Sequence, residues 1–140
     1  MIPKKIIPLL AIMISINNLP ASADIIHIPG DYPTIQEGID AANEYDTVLV
    51  KPGEYVENVD FIGKNITVAS LFLTTGNPDF ISSTIIDGNA SGTVVVFENQ
   101  EDSTAAIIGF TIRNGFTRNQ DYPEIGGGIR CRNSHPIVDN

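Results

Sequence analysis

Acidic and basic side chains in the second half of the sequence are the residues best suited to chemistry. The set comprises four acids and three arginines: Asp87, Glu98, Glu101, Asp102, Arg113, Arg130 and Arg132. Carboxylates are ligands for Ca²⁺, so these acids raise the alternative of a cation site. They do not follow the Asp-x-Asp pattern of a calcium loop, and residues 98–102 are interpreted instead as a solvated acidic corner.

Two of the arginines belong to a predicted strand. Arg130 and Arg132 alternate with Ile129 and Cys131, so both guanidinium groups are expected to point away from the core. Arginines on an outer sheet face can bind the carboxylates of acidic sugars. They can equally serve only to keep the sheet face soluble, and the pattern leaves both alternatives open.

The remaining reactive side chains do not form a recognisable site. His27 and His135 are too far apart to predict a metal pair, and no Ser-His-Asp order is present. The acid at 121 follows Asn and Gln and precedes Tyr-Pro, a composition typical of a loop. We therefore predict that this chain contains no catalytic, cofactor-binding or metal-binding residues.

The single cysteine, Cys131, cannot form a disulfide within this chain. We predict that it is a small buried apolar residue. A bridge to sequence outside this chain and a reactive thiol are the alternatives, in that order.

Composition narrows the class of protein. The chain has 140 residues, with 8 Lys and Arg against 17 Asp and Glu, and a formal net charge of -9. That charge balance disfavours nucleic acid as a partner, because phosphate binding needs a positive surface. Ile and Val are abundant along the whole chain, which argues against disorder, and the length allows one domain.

The N-terminal segment has the pattern of a secretory signal peptide. Lys4 and Lys5 precede an apolar run at 6–16, and Ala-Ser-Ala at 21–23 has the small-x-small form of a cleavage site. We predict a signal peptide at 1–23 with cleavage after Ala23, and a secreted mature chain at 24–140. The apolar run is too short to span a bilayer, and no other segment is predicted to do so.

One helix and several strands are predicted in the mature chain. Thr34 and Glu37 form a capping box, and Ile35, Ile39 and Ala42 follow at helical spacing, so an amphipathic helix is predicted at 35–43. After it, β-branched runs separated by Gly, Asn, Asp and Pro predict strands throughout. These strands are expected at 47–50, 65–69, 83–86, 93–97, 105–113 and 128–131.

A weak internal repeat suggests how these strands are arranged. Val95, Phe97 and Asn99 are matched 34 residues later by Ile129, Cys131 and Asn133, and a polar insertion at 116–125 accounts for the extra length. Such a repeat favours parallel strands stacked in a solenoid, with alternate residues pointing inward. A β-sandwich can show the same alternation by chance.

The ordered series of motifs resembles the N-terminal part of the pectin lyase-like superfamily of right-handed parallel β-helix proteins. The motifs are GDYPTIQEGIDAA at 30–42, VLVKPGEY at 48–55, ENV at 57–59, KNITV at 64–68 and TIIDG at 84–88. The first is similar to the entry block of pectin methylesterases. Further along, GFTIRNG at 109–115 and GGGI at 126–129 resemble the repeats of bacterial secreted β-helix proteins.

The resemblance implies an all-β fold, a right-handed parallel β-helix or solenoid with an N-terminal amphipathic capping helix. The sequence ends at 136–140 within an expected strand, so we expect a C-terminally truncated fragment of a longer protein. An unpaired strand edge at that end is expected to promote self-association.

The resemblance also implies a set of functions. The first is a secreted or cell-surface module that contacts polysaccharide or serves a structural role, without catalytic residues in this segment. The second is a polysaccharide-active enzyme of the pectate lyase or pectinesterase type, whose catalytic residues lie beyond residue 140. The third is an adhesin with the same architecture.

Overall fold

The computed structural model describes residues 22–117 and 127–140. Strands dominate this part of the chain, and three short helices accompany them. The strands are β1 (Ile25–Ile28), β2 (Thr47–Val50), β3 (Gly53–Val56), β4 (Val59–Asp60), β5 (Thr67–Ser70), β6 (Thr84–Asp87), β7 (Val95–Phe97), β8 (Ala106–Ile108), β9 (Thr111–Arg113), β10 (Ile129–Cys131) and β11 (Ile137–Asp139). The helices are α1 (Ile35–Ala41), α2 (Phe72–Thr75) and α3 (Asp79–Ser83).

The strands form three sheets, and the strand pairs in all three are parallel. Sheet A has the order β1-β2-β5-β8-β11, sheet B the order β3-β6-β9, and sheet C the order β10-β7-β4. From β2 onward the chain visits sheets A, B and C in turn, and it completes three such circuits before it returns to sheet A at β11. The fold is therefore all-β with parallel sheets.

Side chains that point inward from the three sheets form one apolar core. Ile86 is fully buried, and Tyr55 and Ile112 pack against the core from the neighbouring strands. The rings of Phe61 and Phe97 lie with their centroids 4.1 Å apart, at an interplanar angle of 33°. Stacking of equivalent residues from one circuit on the next thus fills the space between the sheets.

The internal repeat predicted the strand register correctly. Ile129 pairs with Val95 and Cys131 pairs with Phe97 in the parallel β7–β10 ladder. The prediction that Cys131 is buried is wrong, because its side chain is exposed. β10 is an edge strand of sheet C, so none of the described strands stacks beyond it.

The predicted helix is present as α1, and it ends two residues earlier than predicted. The Thr34 hydroxyl accepts a hydrogen bond from the Glu37 backbone N–H at 3.1 Å, as the capping box requires. Ile35, Ile39 and Ala42 are buried in the core cluster. The apolar face of α1 therefore covers the core at the β1–β2 end of sheet A.

Two side chains from the first circuit fix α1 at both ends. The Glu57 carboxylate accepts from the backbone N–H groups of Ile35 and Gln36 at 3.0 and 2.9 Å. Lys64 Nζ donates to the carbonyl oxygens of Ile39, Asp40 and Ala42, each at 2.8 Å. An anion at the N-terminus and a cation at the C-terminus also complement the helix dipole. We call Glu57 and Lys64 the helix clamp.

The expectation of strands throughout the rest of the chain is wrong at 72–83, where α2 and α3 lie. The single strand predicted at 105–113 is instead two strands, β8 and β9, separated by Gly109. Gly109 has a φ of +75°, and a Cβ there would lie 2.6 Å from Ser70 Oγ. Both the backbone conformation and the close approach of Ser70 therefore require glycine.

Several predictions fall partly or wholly outside the described residues. Residues 1–21 of the signal peptide predicted at 1–23 lie outside the described part, and so does the loop that contains Asp121, Tyr122 and Pro123. Within 22–117 and 127–140, none of the helices has the length and apolar character needed to cross a membrane.

Candidate functional site

Three charged side chains meet on the outer face of sheet B. Arg113 Nε lies 2.7 Å from Asp87 Oδ2, and Arg113 Nη2 lies 2.7 Å from Glu54 Oε1. We call these three residues the Arg113 cluster. One guanidinium group thus binds two carboxylates from the two other strands of its sheet.

The strand register explains this meeting. Tyr55, Ile86 and Ile112 are aligned and pack inward, so the residues next to them point outward. Asp87 is aligned with Arg113 across β6 and β9. Glu54 is not among the predicted charged residues because β3 is not among the predicted strands, although the alternation from Gly53 to Val56 is a weak strand signal.

Hydrogen bonding controls ionisation in the Arg113 cluster. The hydrogen bond from Arg113 lowers the pKa of Asp87 below its ordinary value, and so does the hydrogen bond from the backbone N–H of Asn89. Burial opposes them, but together with the hydrogen bond from the Asn114 amide they outweigh its effect. The hydrogen bond to Asp87 raises the pKa of Arg113. Both groups are therefore charged at neutral pH.

An open depression adjoins the Arg113 cluster at the corner between sheets B and C. One part, of about 360 Å³, is lined by Ala90, Ser91, Gly92 and Phe116. An adjoining part, of about 350 Å³, is lined by Asn89, Ala90, Asn114, Gly115 and Phe116. We call the two parts together the Phe116 depression.

Asp87 connects the cluster to this depression. Its Oδ1 accepts from the backbone N–H of Asn89 at 2.8 Å, and its Oδ2 accepts from Asn114 Nδ2 at 2.8 Å. The Ala90 N–H in turn donates to the Asn114 carbonyl at 2.8 Å. One carboxylate therefore fixes the two segments that form opposite parts of the depression.

Phe116 supplies the apolar surface of the depression. The residue is 46% exposed, and its backbone N–H donates to the Gly92 carbonyl at 2.8 Å. An exposed aromatic ring beside amide side chains can pack on the apolar face of a sugar, while the amides donate to and accept from its hydroxyls. The sequence does not predict this role, because Phe116 begins the polar insertion at 116–125.

The interpretation of residues 98–102 as a solvated corner is wrong for Glu101, which is 1% exposed. Its Oε1 accepts from the Gly63 N–H at 2.9 Å, and its Oε2 accepts from the Asn99 N–H at 2.9 Å and the Ser134 hydroxyl at 2.6 Å. Burial raises the pKa of Glu101, but these hydrogen bonds together outweigh it and lower the pKa overall. Glu101 therefore joins three successive circuits as an ionised structural group.

The other predicted charged residues lie apart from the Arg113 cluster. Arg130 Nε lies 2.8 Å from Glu98 Oε1 on sheet C, and both side chains are about one-third exposed. Arg132 is exposed. Asp102 is exposed, and hydrogen bonds from Thr104 lower its pKa. Asp87, Glu98, Glu101 and Asp102 thus each interact with different partners.

Metal-ligating side chains do not converge in the described part of the chain. Within residues 22–117 and 127–140, no group of three or more His, Cys, Asp or Glu is placed to hold a metal ion. His27 lies on β1 and His135 follows β10, and both are exposed.

Comparison with known proteins does not assign the chain to a protein family. No family model, no curated protein and no solved structure matches this sequence or fold.

Proposed function

We propose that the chain is a right-handed parallel β-helix related to the pectin lyase-like superfamily. The support is the repeated circuit through sheets A, B and C, with every strand pair parallel and α1 laid over one end. Parallel strands joined by a crossover connection strongly favour the right-handed form. The motifs at 30–42 and 109–115 carry the proposed relationship.

We further propose that this β-helix is a secreted or cell-surface module that binds polysaccharide without catalysing a reaction on it. The Phe116 depression is the observation that carries this proposal. It is open, it lies on an outer corner of the sheets, and its lining combines the exposed residue Phe116 with Asn89 and Asn114. Aromatic and amide groups on a rigid scaffold are suited to sugar recognition.

The Arg113 cluster favours a binding role over a catalytic one. A carboxyl group that serves as a general acid near neutral pH needs a raised pKa. The pKa of Asp87 is lowered instead, and both its oxygens already accept hydrogen bonds. Asp87 therefore acts in this proposal as a structural anion.

Binding to polysaccharides, measured with matched variants, tests the proposed function. Phe116→Ala removes the ring from the depression, and we expect it to weaken binding by about tenfold or more. Tyr32→Ala is the control, because it removes a 37% exposed ring near α1. Binding that survives Phe116→Ala, or that Tyr32→Ala reduces equally, would contradict the proposal.

Export is tested separately from binding. The segment at 1–23 supports secretion through its Lys4–Lys5 start and its Ala-Ser-Ala end. We expect the exported protein to begin at Asp24 when its N-terminus is sequenced. An unprocessed N-terminus on protein retained inside the cell would overturn this part of the proposal.

A polysaccharide-active enzyme is the second candidate function. The arrangement of the Arg113 cluster favours it, because two carboxylates and an arginine meet on an outer sheet face, whereas the lowered pKa of Asp87 favours the binding module. The resemblance implies lyase or esterase activity on uronate polymers. Release of unsaturated uronate or of methanol, lost in Asp87→Asn, would establish this candidate and displace the binding module.

A further inference from the structure

We propose that the Phe116 depression selects an uncharged glycan and discriminates against polyuronates, an inference that rests on the binding function proposed above. The lining of the depression is the first support. Among residues 22–117 and 127–140, its lining consists of Phe116, two asparagines, a serine, an alanine and glycines, and none of these carries a charge. Recognition there depends on ring contact and on hydrogen bonds to hydroxyls.

The adjoining cation is not available to an acidic sugar. Arg113 precedes Asn114 directly, but its guanidinium group already binds Asp87 and Glu54, each at 2.7 Å. The Arg113 cluster therefore carries two negative charges and one positive charge. A uronate carboxylate in the depression would meet a net negative neighbour instead of a free guanidinium group.

The charge of the whole chain acts in the same direction. With 17 Asp and Glu against 8 Lys and Arg, the chain repels a polyanion before contact. This long-range repulsion is screened by salt, whereas hydrogen bonds to hydroxyls are not. Discrimination against polyuronates is therefore expected to be strongest at low ionic strength.

The hydrogen bonds of Asp87 also keep the depression in one shape. Asp87 holds the Asn89 backbone and the Asn114 side chain at 2.8 Å each, and both asparagines have left-handed backbones with φ of 48° and 54°. Asp87 is thus a positioning residue for the lining. A ligand that fits this preformed lining does not have to order it on binding.

Calorimetric titration of the secreted chain with two sets of oligosaccharides tests the inference. The probes are uncharged hexasaccharides of glucose, xylose and mannose, and hexagalacturonate, at low ionic strength with a chelator present. We expect at least one uncharged probe to bind through Phe116, and hexagalacturonate to bind about tenfold more weakly or worse. Equal or tighter binding of hexagalacturonate would overturn the inference and leave the polysaccharide-binding function intact.

The absence of binding by all four probes and by polysaccharides would overturn the proposed function itself, and the inference with it. Glu54→Gln provides a finer test, because Glu54 does not line the depression and its loss partly frees Arg113. We expect this variant to bind hexagalacturonate about twofold or more tightly than the parent chain. An unchanged preference in Glu54→Gln would contradict selection by the Arg113 cluster.

Discussion

The two ends of the stacked sheets differ in how their last apolar layer is covered. At the β1–β2 end, α1 lies over the core, and Ile35 and Ile39 are completely buried. At the other end, β11 is an edge strand of sheet A, and Ile137 and Val138 are 48% and 49% exposed. The same β-branched residue types thus contribute more to stability where another element packs on them.

The largest expected effect separates the two ends directly. Ile39→Ala should lower the free energy of unfolding by about 2–5 kcal/mol, because it removes a buried side chain beneath α1. Val138→Ala should change it by less than about 0.5 kcal/mol, because Val138 is half-exposed. Urea denaturation of both variants measures the contrast. Similar losses in the two variants would show that the ends do not differ in the way described.

Glu101 is a buried carboxylate near the β11 end, so this end is expected to contain one residue that contributes strongly to stability. Glu101→Gln should lower the free energy of unfolding by about 1–3 kcal/mol at neutral pH, because buried donors lose a charged acceptor. The lowered pKa of Glu101 means that its stabilising contribution is present above pH 4.5, the ordinary value, and is lost as the pH falls further.

The pH dependence distinguishes this effect from a simple packing loss. The difference between the parent chain and Glu101→Gln should shrink as the pH is lowered below 4.5, the ordinary pKa, because protonation of Glu101 then favours the unfolded parent chain. Chemical denaturation at each pH measures that difference. A difference that stays constant across this range would show that the charge of Glu101 does not contribute.

Removal of one residue of the helix clamp, at the end covered by α1, should lower the free energy of unfolding by less than Glu101→Gln does. Lys64→Met removes three donated hydrogen bonds to the last carbonyls of α1, and we expect a loss of about 1–2 kcal/mol. Lys51→Met is the matched control, because Lys51 is exposed. Equal melting temperatures for the two variants would show that the clamp is energetically neutral.

A substitution on the exposed edge strand β11 should have the smallest effect on stability, and its main effect should be on self-association. Val138→Lys places a charge on β11 and should leave the free energy of unfolding within about 0.5 kcal/mol. We expect the parent chain to self-associate through this edge as concentration rises, and the variant to associate less. Sedimentation velocity over a concentration series measures both. A parent chain that stays monomeric throughout would remove this expectation.

Local patterns predicted the elements that local interactions determine. The capping box at Thr34 and Glu37 gave the start of α1, and the repeat from Val95 to Ile129 gave a correct strand register. The short strands β3 and β4 and the helices α2 and α3 were missed, because two to five residues carry too little periodicity to reveal them.

Long-range placement explains what was missed at the site. The burial of Glu101 depends on Gly63 and Ser134, which lie in other circuits, so its own neighbours in sequence suggested a solvated corner. Glu54 meets Arg113 only through the sheet B register, and Phe116 lines a depression with Ala90 through the folded corner. The prediction that Cys131 is buried was wrong because a long-range contact is lacking. None of the described strands packs beyond β10, so the Cys131 side chain is exposed.

The helix clamp also has a consequence for local opening of the protein. Because Glu57 and Lys64 flank β4 and both hold α1, the helix cannot lift away while the segment from 57 to 64 keeps its place. The amide protons of both segments should therefore exchange with solvent in a single cooperative event, with one shared opening free energy. The first circuit and its covering helix would then behave as one foldon.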